Sequence, residues 1–156
     1  MSSTEIRIVK LNEMRVASVL GYGPQPEDQA WKKLIAWAQP LGLMDTAPQI
    51  FGFNNPSPSP GSPNYGYELM IVVSPDLEVG GDVEIKTFPG GLYAVARCEV
   101  TADPGEQIPA AWRSLVLWRE QSRYQGASHQ WLEEHIETAH LPEGQFTLDL
   151  YLPIAE

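Results

Sequence analysis

Apolar and polar positions alternate along Glu5–Leu11, with Ile6 and Ile8 on one face, and β-rich character resumes along Met14–Leu20 after a turn at Asn12–Glu13. Both runs read as strands. Residues 21–29 then break the pattern with Gly and Pro, and Pro26, Glu27 and Asp28 suit the first turn of a helix. Apolar residues at Ala30, Trp31, Leu34, Ile35, Ala38 and Leu41 recur at helical spacing, so a helix is expected from Gln29 to Leu41, ended by Gly42. Short strands follow at Gln49–Asn54 and Tyr65–Val73, separated by the Pro/Ser-rich stretch 54–64, which reads as a mobile surface loop.

The order then repeats. Val83–Phe88 and Leu92–Val100 alternate on either side of Pro89, Gly90 and Gly91, and Ile108–Gln121 carries Trp112, Leu115, Val116 and Arg119 on one helical stripe. Residues 131–137 are compatible with a strand or a helical turn, and Gln145–Pro153 alternates cleanly through Phe146, Leu148, Leu150 and Leu152. Both helices contain W-x-x-L-x-x-W, at Trp31, Leu34, Trp37 and at Trp112, Leu115, Trp118, an offset of 81 residues at all three positions. We read this as a tandem duplication within one domain over residues 1–156, with pseudo-repeats at about 4–78 and 79–156. The expected fold class is α+β: two strand-helix-strand-strand modules, antiparallel sheets and two main helices. Within each motif the tryptophans stand six positions apart, about 240° around a helix. One of each pair is therefore expected in the core and the other near a second surface or a cavity.

Composition narrows the function. Twenty Asp plus Glu against ten Lys plus Arg give a net charge of −10, with no local basic cluster, which argues against a nucleic-acid partner and favours cationic ligands. The single cysteine, Cys98, excludes an intramolecular disulfide and sits in an alternating strand as a small core residue. No signal peptide and no apolar run near ~18 residues is visible, so a cytoplasmic protein without a membrane partner is expected. His129, His135 and His140 lack metal-ligand spacing, and neither a phosphate-binding glycine frame nor a G-x-S-x-G elbow occurs, so no metal and no cofactor is expected.

Five tryptophans exceed what a core of this size requires. Glu133 and Glu134 directly follow Trp131 and Leu132. If this run is extended, Trp131 and Glu133 share one face while Leu132 and Glu134 share the other. A carboxylate under aromatic walls selects a cation; at ~4 Å and an effective dielectric near 20 the pair gains roughly 4 kcal/mol before desolvation.

Several segments together resemble the GyrI-like family, the effector-binding domain of AraC- and MerR-type multidrug regulators. They are Met14–Ala17; Ile50–Gly52 with Asn55 and Pro56; Tyr65–Glu68; Phe88–Val95; Trp112, Leu115, Trp118, Ser122 and Tyr124; Leu132–His135; and Leu148–Ile154. The resemblance implies a tandem strand-helix-strand-strand fold and an aromatic pocket for bulky hydrophobic, often cationic compounds. The family's F-E-x-Y-like motif falls on Leu132–His135, making Glu133 the acid at the pocket base, with Leu and His where aromatics are usual. Phe53, Tyr67, Tyr93, Trp112 and Trp131 are the expected walls. A Trp-rich, stand-alone subfamily hydrolyses strained cyclopropanes of DNA-alkylating compounds, which makes Glu133 a candidate catalytic residue if the chain is an enzyme. A third reading is a protein-interaction module of the gyrase-inhibitor type. No DNA-reading part is expected, since the fold uses both ends of the chain.

Overall fold

The computed structural model describes residues 5–46, 48–55, 60–77, 81, 83–101, 103–136 and 145–156. Positions 56–59 of the Pro/Ser-rich stretch, and His140, lie outside the described residues. The elements run β1 (Ile6–Leu11), β2 (Met14–Gly23), α1 (Pro26–Ala38), a 3-10 turn (Leu43–Thr46), β3 (Ile50–Asn54), β4 (Tyr65–Val72), β5 (Glu84–Phe88), β6 (Gly91–Val100), α2 (Pro104–Gln121), β7 (Gln125–Gly126), β8 (Leu132–Ile136) and β9 (Phe146–Ala155). This is the expected α+β class, with two main helices and antiparallel strand pairs. Among the described residues, no helix is long and apolar enough to cross a membrane.

The chain divides into two compact units. The first, Glu13–Pro89, orders its strands β3-β4-β2-β5. Its core, with Ala17, Val19, Ile50, Leu69 and Ile71, lies under Ala30, Leu34 and Ala38 of α1. Gly21 permits the close approach of helix to strand: a Cβ there would stand 2.1 Å from the Pro26 carbonyl oxygen. The second unit, Met1–Asn12 with Gly90–Glu156, orders its strands β8-β9-β6-β1, with β7 on β9. Here Ala94, Ala96, Cys98, Leu148, Leu150 and Leu152 pack against Leu115 of α2. Each unit takes an edge strand from the other sequence half, because β1 pairs with β6 and β5 with β2.

Cap chemistry shifts the helix ends from the apolar pattern. α2 begins at Pro104, where Asp103 accepts a hydrogen bond from the Gly105 amide at 3.0 Å, ahead of any apolar stripe. α1 ends at Ala38, so Leu41 falls beyond it and is exposed. The tryptophan expectation is corrected. Trp31 and Trp37 both pack on the α1 core, and Trp112 and Trp118 both pack on the α2 core. Six positions are 240° in one sense but 120° in the other, so each pair straddles its buried leucine, Leu34 or Leu115, at about 60° to either side.

Candidate functional site

Within residues 131–137, compatible in sequence with a strand or a helical turn, Leu132–Ile136 form a strand whose register settles which side chains share a face. Glu133 pairs with Leu150 and His135 with Leu148, both leucines belonging to the core under α2. Glu133 therefore lies on the helix-covered face, in one row with Ile6, Ala96 and Leu150. Trp131, two positions before Glu133, is on that side too: its ring meets Trp112 of α2 at 5.1 Å between centroids, tilted by 44°. Trp131 is 41% exposed and Glu133 is half-buried, so this corner of the unit reaches solvent.

The same face carries two further titratable groups. Burial pushes the Cys98 thiol up, and the charge of Glu133 adds to the effect. Burial holds His135 down at about 4, so it is a neutral imidazole at neutral pH. A carboxylate on a half-exposed sheet face that also carries a pair of indoles is of the chemical type that can hold a cation or orient a water molecule. Among the described residues, no group of three His, Cys, Asp or Glu side chains could hold a metal ion.

Not every expected wall joins this group. Tyr93 lies on the opposite face of its sheet: it alternates with Leu92 and Ala94 of the α2-facing core. There it is fully buried, its hydroxyl donates to the Gln130 carbonyl at 2.6 Å, and its ring meets His129 and Tyr151 edge-on. Burial raises its hydroxyl pKa. Phe53 and Tyr67 belong to the first unit. Tyr67 is part of the α1-facing core and fills the space beside Gly52, where a Cβ would stand 2.1 Å from its hydroxyl. Phe53 pairs with Glu68 on the other face. Structure thus groups Trp112, Trp131 and Glu133 within one unit, and places Tyr93 on that unit's far face.

Two buried carboxylates escaped the sequence reading. Glu68 accepts hydrogen bonds from Ser18, from Asn55 at 2.9 Å and from Lys86 at 2.8 Å. Burial alone would raise its pKa, but these donors and the Lys86 charge outweigh it and hold the carboxyl below its ordinary value. Asp149 accepts from Arg7 at 2.8 Å and from Arg97 at 2.9 Å, with Tyr151 donating to neighbouring Glu134 at 2.6 Å. Glu68 and Asp149 stand 81 residues apart, the spacing of the tryptophan motifs, and that was the signal available in the sequence.

Comparison with known proteins bears on the fold and the family. The chain is similar in structure to the EcmrR C-terminal domain, with a TM-score of 0.70, 13% identity and 98% of each chain covered. Against EcmrR in its complex with DNA, it spans only 58% of the longer chain, at a TM-score of 0.69 and 14% identity. A protein from Listeria innocua described as a hydrolase matches at TM-score 0.67 and 10% identity, covering 97% of this chain and 92% of that one. SAV2435 bound to tetraphenylphosphonium matches at TM-score 0.55 and 13% identity, covering 97% and 94%. At such identities these likenesses are of fold, and no curated protein sequence matches the chain. The family model is more specific: it matches residues 4–155, and the chain belongs to the GyrI-like small molecule binding domain family.

Proposed function

We propose that this domain binds a bulky hydrophobic cation on the α2-covered face of its second unit, between Trp112 and Trp131, with Glu133 supplying the charge. One observation carries the reading: Trp131 and Glu133 share a face, and the Trp112 ring stands 5.1 Å from that of Trp131. Indole faces and a carboxylate attract the same ligand, one with a large apolar surface and a delocalised positive charge. The net charge of −10 favours the approach of cations. Tetraphenylphosphonium, bound by the structural neighbour SAV2435, has this chemistry and is the probe of choice. Titrating it should quench tryptophan fluorescence. Glu133→Gln should weaken tetraphenylphosphonium binding about tenfold while changing binding of neutral triphenylphosphine oxide less than threefold. No quenching would sink the binding reading, and equal losses for both ligands would remove Glu133 as the charge sensor.

A second reading is favoured by the same carboxylate and by the likeness to the Listeria hydrolase. Glu133 would orient a water molecule against a strained cyclopropane held by the indoles; the water oxygen bonds to a ring carbon, the strained carbon–carbon bond breaks, and the proton passes to the released carbon. Incubating the protein with a cyclopropane-bearing alkylator decides it by mass: a product heavier by one water, formed with turnover and lost in Glu133→Gln, supports hydrolysis, and recovery of intact compound rules it out.

A further inference from the structure

We propose that the outer face of α2 is a homodimer contact, in which the helices of two copies lie antiparallel. This face carries a shallow groove of about 400 Å³ lined by Trp112, Arg113, Val116, Leu117 and Glu120. Leu117 is 53% exposed at its centre. Arg113, Leu117 and Glu120 follow the 4-3 spacing of a single helix stripe. Among the described residues, neither Arg113 nor Glu120 has an ion-pair partner.

The charges make the groove self-complementary. Arg113 and Glu120 stand two turns apart, roughly 10.5 Å along the axis, and their midpoint falls between Val116 and Leu117. A two-fold axis through that midpoint sets Arg113 of one copy against Glu120 of the other, twice, with Val116 and Leu117 of both copies in the middle. Parallel helices would oppose Arg113 to Arg113 and Glu120 to Glu120, so charge selects the antiparallel, isologous arrangement. The groove is lined by five residues, well short of the roughly 20–30 residues a side of a stable complex. The dimer is therefore weak and forms with rising concentration, against the repulsion of a net charge of −10 per copy.

Sedimentation equilibrium on the ligand-free chain at about 0.15 M salt, over a wide concentration range, is the test. It does not depend on the binding reading, because no ligand is present. The expected result is a monomer–dimer equilibrium, weakened about tenfold by Arg113→Glu or by Glu120→Arg and restored to within about threefold in the double reversal. All three substitutions are at exposed positions, and far-UV circular dichroism checks that each variant is folded. A strictly monomeric wild type, a double reversal as weak as the single variants, or a Leu117→Lys variant that still dimerises would each overturn the proposal. So would a monomer in which Leu117→Lys alters tetraphenylphosphonium affinity, since the groove would then be part of the ligand site.

Discussion

Acidification tests the placement of His135 directly. Its imidazole sits on the α2-covered face of β8, opposite Leu148, and titrates at about 4 because burial disfavours the imidazolium. In the unfolded chain a histidine titrates near 6.5. The unfolded state therefore takes up the proton first, and stability falls as pH drops from about 6.5 to about 4, while above that window this group contributes no slope. A folded value of about 4 against an unfolded value near 6.5 corresponds to roughly 3.4 kcal/mol when fully expressed, and to about 2 kcal/mol at pH 5. Part of the residue's surface stays open to water, which screens the charge, so these figures are upper bounds. Against a typical total of about 5–15 kcal/mol such a loss is measurable. Urea denaturation at pH 7.5, 6.0 and 5.0 gives the free energy at each pH. Wild type should lose 1–2 kcal/mol between the extremes (roughly, by the same linkage), and His135→Leu should lose correspondingly less, whatever its absolute stability. If both proteins lose the same amount, His135 is not the buried neutral group described here, and its placement on the helix-covered face is wrong.

Other substitutions probe the buried polar groups of the two units. Asp149→Asn strips the charge that Arg7 and Arg97 share; both guanidinium groups are about half exposed and keep much of their hydration. The cost is therefore about 1–3 kcal/mol, read as a Tm lower by roughly 2–10 °C, and an unchanged Tm would show that the pairs contribute nothing. Glu68 has a folded pKa below the ordinary 4.5, so the stability it lends is present above that pH and is lost as pH falls through the folded value. Glu68→Gln should accordingly destabilise at pH 7 and flatten the acid limb below about pH 4.5, and an unaltered limb would contradict the network around Ser18, Asn55 and Lys86. Gly52→Ala forces a Cβ to within 2.1 Å of the Tyr67 hydroxyl. It should cost about 2 kcal/mol or more in wild type but under about 1 kcal/mol in a Tyr67→Leu background; equal costs in both backgrounds would mean that the clash lies elsewhere.

Alternation made most strands legible, yet it resolves parity and not direction. Along β6 the sequence separates Leu92, Ala94, Ala96 and Cys98 from Tyr93 and Val95, but both sets are apolar and both are largely buried, so nothing local says which set faces a helix. Tyr93, a wall implied by the family resemblance, falls on the face away from α2. The same ambiguity hid Glu68 and Asp149. A lone acid in an apolar strand reads as the solvent face, whereas here the face away from the helix is buried as well, and the acids persist because Arg97 reaches Asp149 from the adjacent strand while Lys86 and Arg7 reach Glu68 and Asp149 across an intervening one. Those partners are remote in sequence, and no window of periodicity contains them. Trp131 and Glu133 were paired correctly because their relation is local, two positions along one strand. That the Trp112 ring meets that of Trp131 required knowing where α2 lies on β6 and β9, which Leu115 determines by its burial against both strands. Sequence thus named the acid and both indoles, and tertiary packing supplied the contact between the two rings. A ligand that senses Glu133 should therefore lose affinity on changes at Leu115 that tilt α2, even though Leu115 itself is fully buried; Leu115→Val, with a modest stability cost of about 1 kcal/mol, should weaken tetraphenylphosphonium more than its effect on folding explains, and an unchanged affinity would place the ligand away from Trp112.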